Sequence, residues 1–158
     1  MIRWRREARQ TLARGTTVTL PDSLLEAYRN TTFYADTPRA RLALRVGQWC
    51  GELDALLNDH GVSTWAYVTA SNPGSRRLSD EDNSARQRVL EGHVARLGVR
   101  AYPGEGVADD GGWPPEASLL MLGIARGDAV RLGARYGQVA IVCGEVGRAA
   151  ELVLCTDG

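Results

Sequence analysis

Apolar and polar positions change period from segment to segment, and each period predicts an element. Pro21-Asp22-Ser23 ahead of Leu24, Leu25 and Tyr28 reads as a short capped helix. Thr31 to Tyr34 is β-prone, Asp36-Thr37-Pro38 is a turn, and Arg41 to Val46 alternates with Leu42, Leu44 and Val46 on one face. Together these predict a hairpin. Residues 49–60 carry a helical stripe of Cys50, Leu53, Leu56 and Leu57, stopped by Gly61. Thr64 to Thr69 is a strand that runs into the turn cluster Ala70 to Ser75. Ser79 with Asp82 is a capping box opening a helix over 80–97, with Ala85, Val89, Val94 and Leu97 as expected core positions. Val99 to Tyr102 reads as a short strand and residues 103–115 as a long irregular stretch, the kind that serves function or stays disordered. Ser118 to Ile124 is an unbroken apolar run, as in a strand buried on both faces. A helix over 127–135 and strands over 138–143 and 152–155 complete the pattern.

Strands interleaved with helices predict an α/β (or α+β) fold. A single mixed β-sheet is flanked by three to four helices in a two- or three-layer sandwich. The absence of G-x-G-x-x-G after a strand argues against a doubly wound nucleotide fold. At 158 residues, 44% apolar and 24% charged, the chain suits one domain, taken as residues 21–158, and has no apolar run long enough to span a bilayer.

Charge changes the picture at one end. The net charge is zero, but residues 1–20 hold five arginines against Glu7, a net of +4, so residues 21–158 carry −4. Residues 1–20 therefore read as a basic extension. Such an arm can bind nucleic acid, but the acidic body and the lack of a recognition motif argue against that partner. Every basic residue is arginine, so Schiff-base chemistry and a phosphate-loop lysine are excluded. Cys50, Cys143 and Cys155 form no C-x-x-C pair, and no signal peptide is visible; reduced thiols in a cytoplasm are expected. His60 and His93 read as capping or core residues. No His/Cys cluster has metal-ligand spacing, and neither a metal nor a cofactor is expected.

Four segments carry candidate chemistry. Asn72 and Ser75 lie in a strand-end loop whose N–H groups, with Arg76 and Arg77, could bind an anion; the same Asn-Pro-Gly is also an ordinary turn. Asn83 and Arg86 share a helix face that Leu90 continues. Glu116 and Ser118 project to one side at the mouth of the apolar strand, with Trp113 just before them. A carboxylate there could serve as general acid or base, or pair an arginine structurally. Gln138 enters a buried strand and needs partners, from a ligand or from the preceding helix end.

Taken in order, Tyr28-Arg-Asn-Thr31 with Tyr34, Thr69 to Ser75, Ser79 with Asn83, Pro103-Gly-Glu-Gly106, Trp113 to Ser118 and Tyr136 to Val142 form a set. The set resembles the bacterial Domain of Unknown Function 3293 family over about residues 25–143. One departure is Val139, where family members often show asparagine. The resemblance implies a small bacterial cytosolic protein and supplies no established activity.

The residues themselves predict a pocket at one end of the sheet, lined by Asn72, Ser75, Arg76, Asn83, Arg86, Trp113, Ser118 and Gln138 and covered by residues 103–115. Its expected ligand is small, polar or anionic, such as a nucleotide or phosphorylated metabolite. If it is an enzyme, Glu116 is the acid/base of a hydrolase, transferase or lyase. The competing reading is a protein-interaction module with a structural polar network. The oligomeric state is not legible.

Overall fold

The computed structural model describes residues 9–11, 17–19 and 21–155. Strands β1 (Arg9–Thr11) and β2 (Thr17–Thr19) pair antiparallel as a separate two-stranded sheet. The rest of the basic extension lies outside the described residues. The body runs α1 (Asp22–Arg29), β3 (Thr31–Asp36), β4 (Arg41–Leu44), α2 (Gly51–Asp59), β5 (Thr64–Thr69), α3 (Asp80–Leu97), β6 (Arg100–Ala108), β7 (Glu116–Leu122), α4 (Arg126–Arg135), β8 (Ala140–Glu145) and β9 (Glu151–Leu154).

Seven strands form one sheet in the order β4-β3-β6-β7-β5-β8-β9. The α/β class and the helix count are as expected. The sheet anticipated as mixed is antiparallel in every ladder. Three neighbouring pairs, β3/β4, β6/β7 and β8/β9, are joined by short connections that can only return a strand antiparallel. The helix between β5 and β6 does cross over between two parallel strands, but β7 lies between them and is antiparallel to both, so no parallel ladder forms. The parallel contact is a lone bridge, Val46 to Ala150, where Gly47 N–H donates to Ala150 O and Ala150 N–H to Gln48 O. It ties the chain beyond β4 to the chain before β9, so the sheet curls into a half-barrel.

Alternation along the strands divides the core in two. Phe33, Leu42, Leu44, Trp65, Tyr67, Leu120, Leu122 and Val142 face the inside of the curl, where Leu53, Leu56 and Leu57 of α2 fill one end. Ala66, Val68, Leu119, Met121, Ile141 and Val153 face the outside, under Leu90 and Val94 of α3 and Ala129 and Leu132 of α4. The apolar run of β7 is thus buried on both faces. On α3 the buried stripe is Gln87, Leu90 and Val94; of the expected set Val94 is buried, while Ala85, Val89 and Leu97 are exposed.

The largest departure from the sequence reading is β6. Pro103 to Ala108, read as irregular, is strand. The ladder with β3 ends at Gly104, so Pro103 lies where β6 is paired on the β7 side alone, which lessens the cost of its missing N–H. Only residues 109–115 remain as a loop. They are pinned at their start: Asp109 takes two hydrogen bonds from the Arg45 guanidinium, at 2.7 and 3.0 Å, and one from Thr32, while Asp109 N–H donates to Asn30 O. The hydrogen bonds from Arg45, then that from Thr32, hold the Asp109 carboxyl below the ordinary carboxylate range. A depressed acid stabilises the fold above its unfolded pKa, about 3.9, and loses that contribution as pH falls through its lower folded value. Asp109→Asn should therefore flatten the steepest part of the acid-unfolding curve, read by circular dichroism from pH 5 to 2. An unchanged acid limb would refute this.

Candidate functional site

The open end of the half-barrel holds a cavity of about 410 Å³. Its floor is the sheet face on which Phe33, Gly106 and Glu116, and then Ser118 and Thr69, stand in cross-strand register. Its cover is α1, through Leu24, Ala27 and Tyr28, with Asp110, Gly112 and Trp113 from the loop. No residue of α1 is fully buried, so the helix rests on the opening rather than in the core.

One wall is a turn that departs from ordinary backbone. After β5 the chain passes through Asn72 and Ser75 with φ of 50° and 60°, flanking Gly74 at 65°. Asparagine tolerates this left-handed region, and serine does so at a cost. The turn is held by Gly74 N–H donating to Gly137 O at 2.7 Å. Asn72 is buried and uses all its polar groups. Its N–H donates to Asn83 Oδ1 (2.9 Å), and its Oδ1 accepts from Asn83 Nδ2 (2.9 Å) and from Leu78 N–H (2.8 Å). Its Nδ2 donates to Glu116 Oε1 at 2.7 Å. The same oxygen accepts from Trp113 Nε1 at 2.7 Å. Glu116 Oε2 has no partner among the described residues.

The face of α3 carrying Asn83 and Arg86 does turn toward Asn72. Arg86, however, is not in the cavity. Its Nε donates to Ala70 O and its Nη2 to Tyr136 O, both at 2.6 Å. It joins the end of β5 to the C-terminus of α4, where a cation suits the helix dipole. Gln138 Nε2 donates to Ser71 O at 3.0 Å, placing that side chain on the cavity wall. Ser118 lines the floor and donates to Glu116 O. Ser75 lines the rim. Arg76 is exposed and absent from the lining, because the left-handed turn sends the chain outward before it. Arg77 lies on a second groove of about 310 Å³, behind Asn72, with Asp80 and Pro114.

Asn72, Glu116, Trp113, Ser118, Gln138 and Ser75 thus meet at one cavity, and Asn83 holds Asn72 from behind. Arg76 and Arg86 do not line it. Among the described residues the lining includes Asp110 and Glu116 and no arginine. Sequence reasoning missed Tyr28, whose hydroxyl has no partner among the described residues and whose pKa is raised by burial first and by the nearby Glu116 second. Spacing in a short helix could not show that α1 folds over Glu116.

A family model described as a protein of unknown function, DUF3293, matches residues 68–141. Over that span the chain is similar to the DUF3293 family. The DUF3293 span runs from the end of β5 into β8 and contains every candidate site residue from Asn72 to Gln138; α1 and Tyr28 lie before it. No curated protein and no solved structure matches the chain.

Proposed function

We propose that the cavity under α1 binds a small polar molecule, with Glu116 as its anchor and Tyr28 and Gln138 as further contacts. The observation that carries this reading is the state of Glu116. One oxygen is fixed by two hydrogen bonds, from Asn72 and Trp113, while the other has no protein partner in a residue that lines the cavity. Glu116 is half-buried, so its second oxygen is open to water or to a ligand. A carboxylate oriented through one oxygen is prepared to accept a hydrogen bond, or a proton in a general acid–base step, with the other. A cavity of this size, with aromatic walls and few polar groups, fits a metabolite better than a protein surface. Three free thiols support a reducing, cytoplasmic setting.

Thermal denaturation against a metabolite panel tests the reading. A ligand present at about 100 times its Kd adds ~2.7 kcal/mol, worth about 5–10 °C in a chain of this size. Glu116→Gln should remove most of that shift. So should Ala27→Trp, which fills the mouth from an exposed position on α1. No shift from any metabolite, or shifts equal in both variants and the parent, would end the proposal.

A further inference from the structure

The hydrogen-bond inventory of the cavity restricts what can enter it. Four of the seven hydroxyls of the lining donate to protein carbonyls, Thr31 to Ala27 O, Tyr67 to Tyr34 O, Thr69 to Ala117 O and Ser118 to Glu116 O, while those of Tyr28, Ser71 and Ser75 have no acceptor among the described residues. The amide donors of Asn72 and Gln138 and the indole N–H of Trp113 are used within the protein. Acceptors of the wall are open as well. Glu116 Oε2 and Gln138 Oε1 have no partner among the described residues, and Asp110 adds a second carboxylate to the rim. Among the described residues the lining has two acids and no base. Its apolar part includes four aromatic rings, Tyr28, Phe33, Tyr67 and Trp113, with Phe33 and Tyr67 edge to face at 5.3 Å, beside aliphatic groups such as Leu24 and Ile141.

From this we infer that the cavity takes an organic cation, a protonated amine on an apolar body, with the ammonium on Glu116 and the body among the aromatic rings. An ammonium offers N–H donors and no acceptor, which complements a wall rich in open acceptors. Ring faces attract a cation, and a carboxylate makes a charge-assisted bond to it. A carboxylate or phosphate ligand would meet Glu116 and Asp110 with no compensating cation. The inference rests on the proposed binding role of this cavity and narrows it to one ligand class.

The test uses the full chain and matched triplets on phenyl, indolyl and cyclohexyl skeletons, each as ammonium, alcohol and carboxylate. Binding is followed by NMR on the Trp113 indole N–H, assigned with Trp113→Phe. The ammonium of a triplet should bind at least about tenfold tighter than its alcohol, with no binding by the carboxylate. Glu116→Gln should erase that preference while the apolar skeleton still binds weakly. The preference in the parent chain is itself decisive if that variant fails to fold. A carboxylate or alcohol that binds as well as the ammonium would overturn the cation assignment and leave the cavity's binding role standing. If no member of any triplet perturbs the Trp113 signal, both readings fall together.

Discussion

Gly104→Ala is expected to lower the melting temperature by about 6–12 °C, the equivalent of about 3 kcal/mol of overpacking. A Cβ at this position would lie 1.9 Å from the Tyr34 carbonyl oxygen and 3.0 Å from Tyr67 Oη. The clash is with backbone of a paired strand, which cannot rotate away. It would also displace the bond from Tyr67 Oη to Tyr34 O, 2.6 Å long, that ties β5 to β3 across β6 and β7. The same change two residues on provides the comparison. A Cβ on Gly106 meets the Phe33 ring at 3.5 Å, an ordinary contact, so Gly106→Ala should shift melting by less than about 3 °C, the equivalent of ~1 kcal/mol. If residues 103–108 were a loop free to adjust, the two variants would melt alike. Equal melting temperatures would thus contradict the close approach of β6 and β3.

This pair of glycines also marks where the sequence stopped being legible. Pro103, Gly104 and Gly106 carry strong turn propensity, and local reasoning has no means of knowing that Tyr34 passes within contact of position 104. The glycines serve a tertiary approach, and that overrides their local preference. Segments whose pattern and environment agree were readable: the two-sided apolar run of β7, the stripe of α2 and the Ser79 cap of α3, where Ser79 Oγ accepts from Asp82 N–H. The convergence of Asn72, Asn83 and Glu116 was legible for a related reason. Each occupies an element end, and a strand end, a helix start and a strand mouth tend to gather at one edge of a sheet. Arg76 and Arg86 show the limit of that argument. Proximity in sequence to Asn72 did not bring Arg76 inward, and a cation placed near a candidate site became, in Arg86, a clamp on two backbone carbonyls. Tyr28 belongs to α1, and nothing in α1's own residues says which face of a distant sheet it will cover.

Asn72→Asp should add, between pH 4 and pH 8, a loss of stability with rising pH to whatever the parent chain shows. The new carboxylate can still accept from Leu78 N–H and Asn83 Nδ2 through Oδ1. Its other oxygen, however, replaces the amide nitrogen that donates to Glu116 Oε1 at 2.7 Å. Two carboxylates at that distance cannot both be ionised, so the pair holds a proton in the folded state with a raised pKa. In the unfolded chain both acids release their protons near pH 4. The raised folded pKa gives the sign: the variant is close to the parent below pH 4 and loses stability as pH rises through the folded value. By pH 8 it should be weaker by about 3 kcal/mol, the scale of breaking a partly buried charged contact. Asn72→Ala serves as the contrast. It leaves Leu78 N–H and Asn83 Nδ2 without their acceptor and forces alanine into a left-handed conformation. Its loss, also about 3 kcal/mol, should be the same at both pH values. Urea denaturation at pH 4 and pH 8 separates the two. A parallel, pH-independent loss in both variants would mean that Asn72 supports the turn alone and does not govern the charge of Glu116.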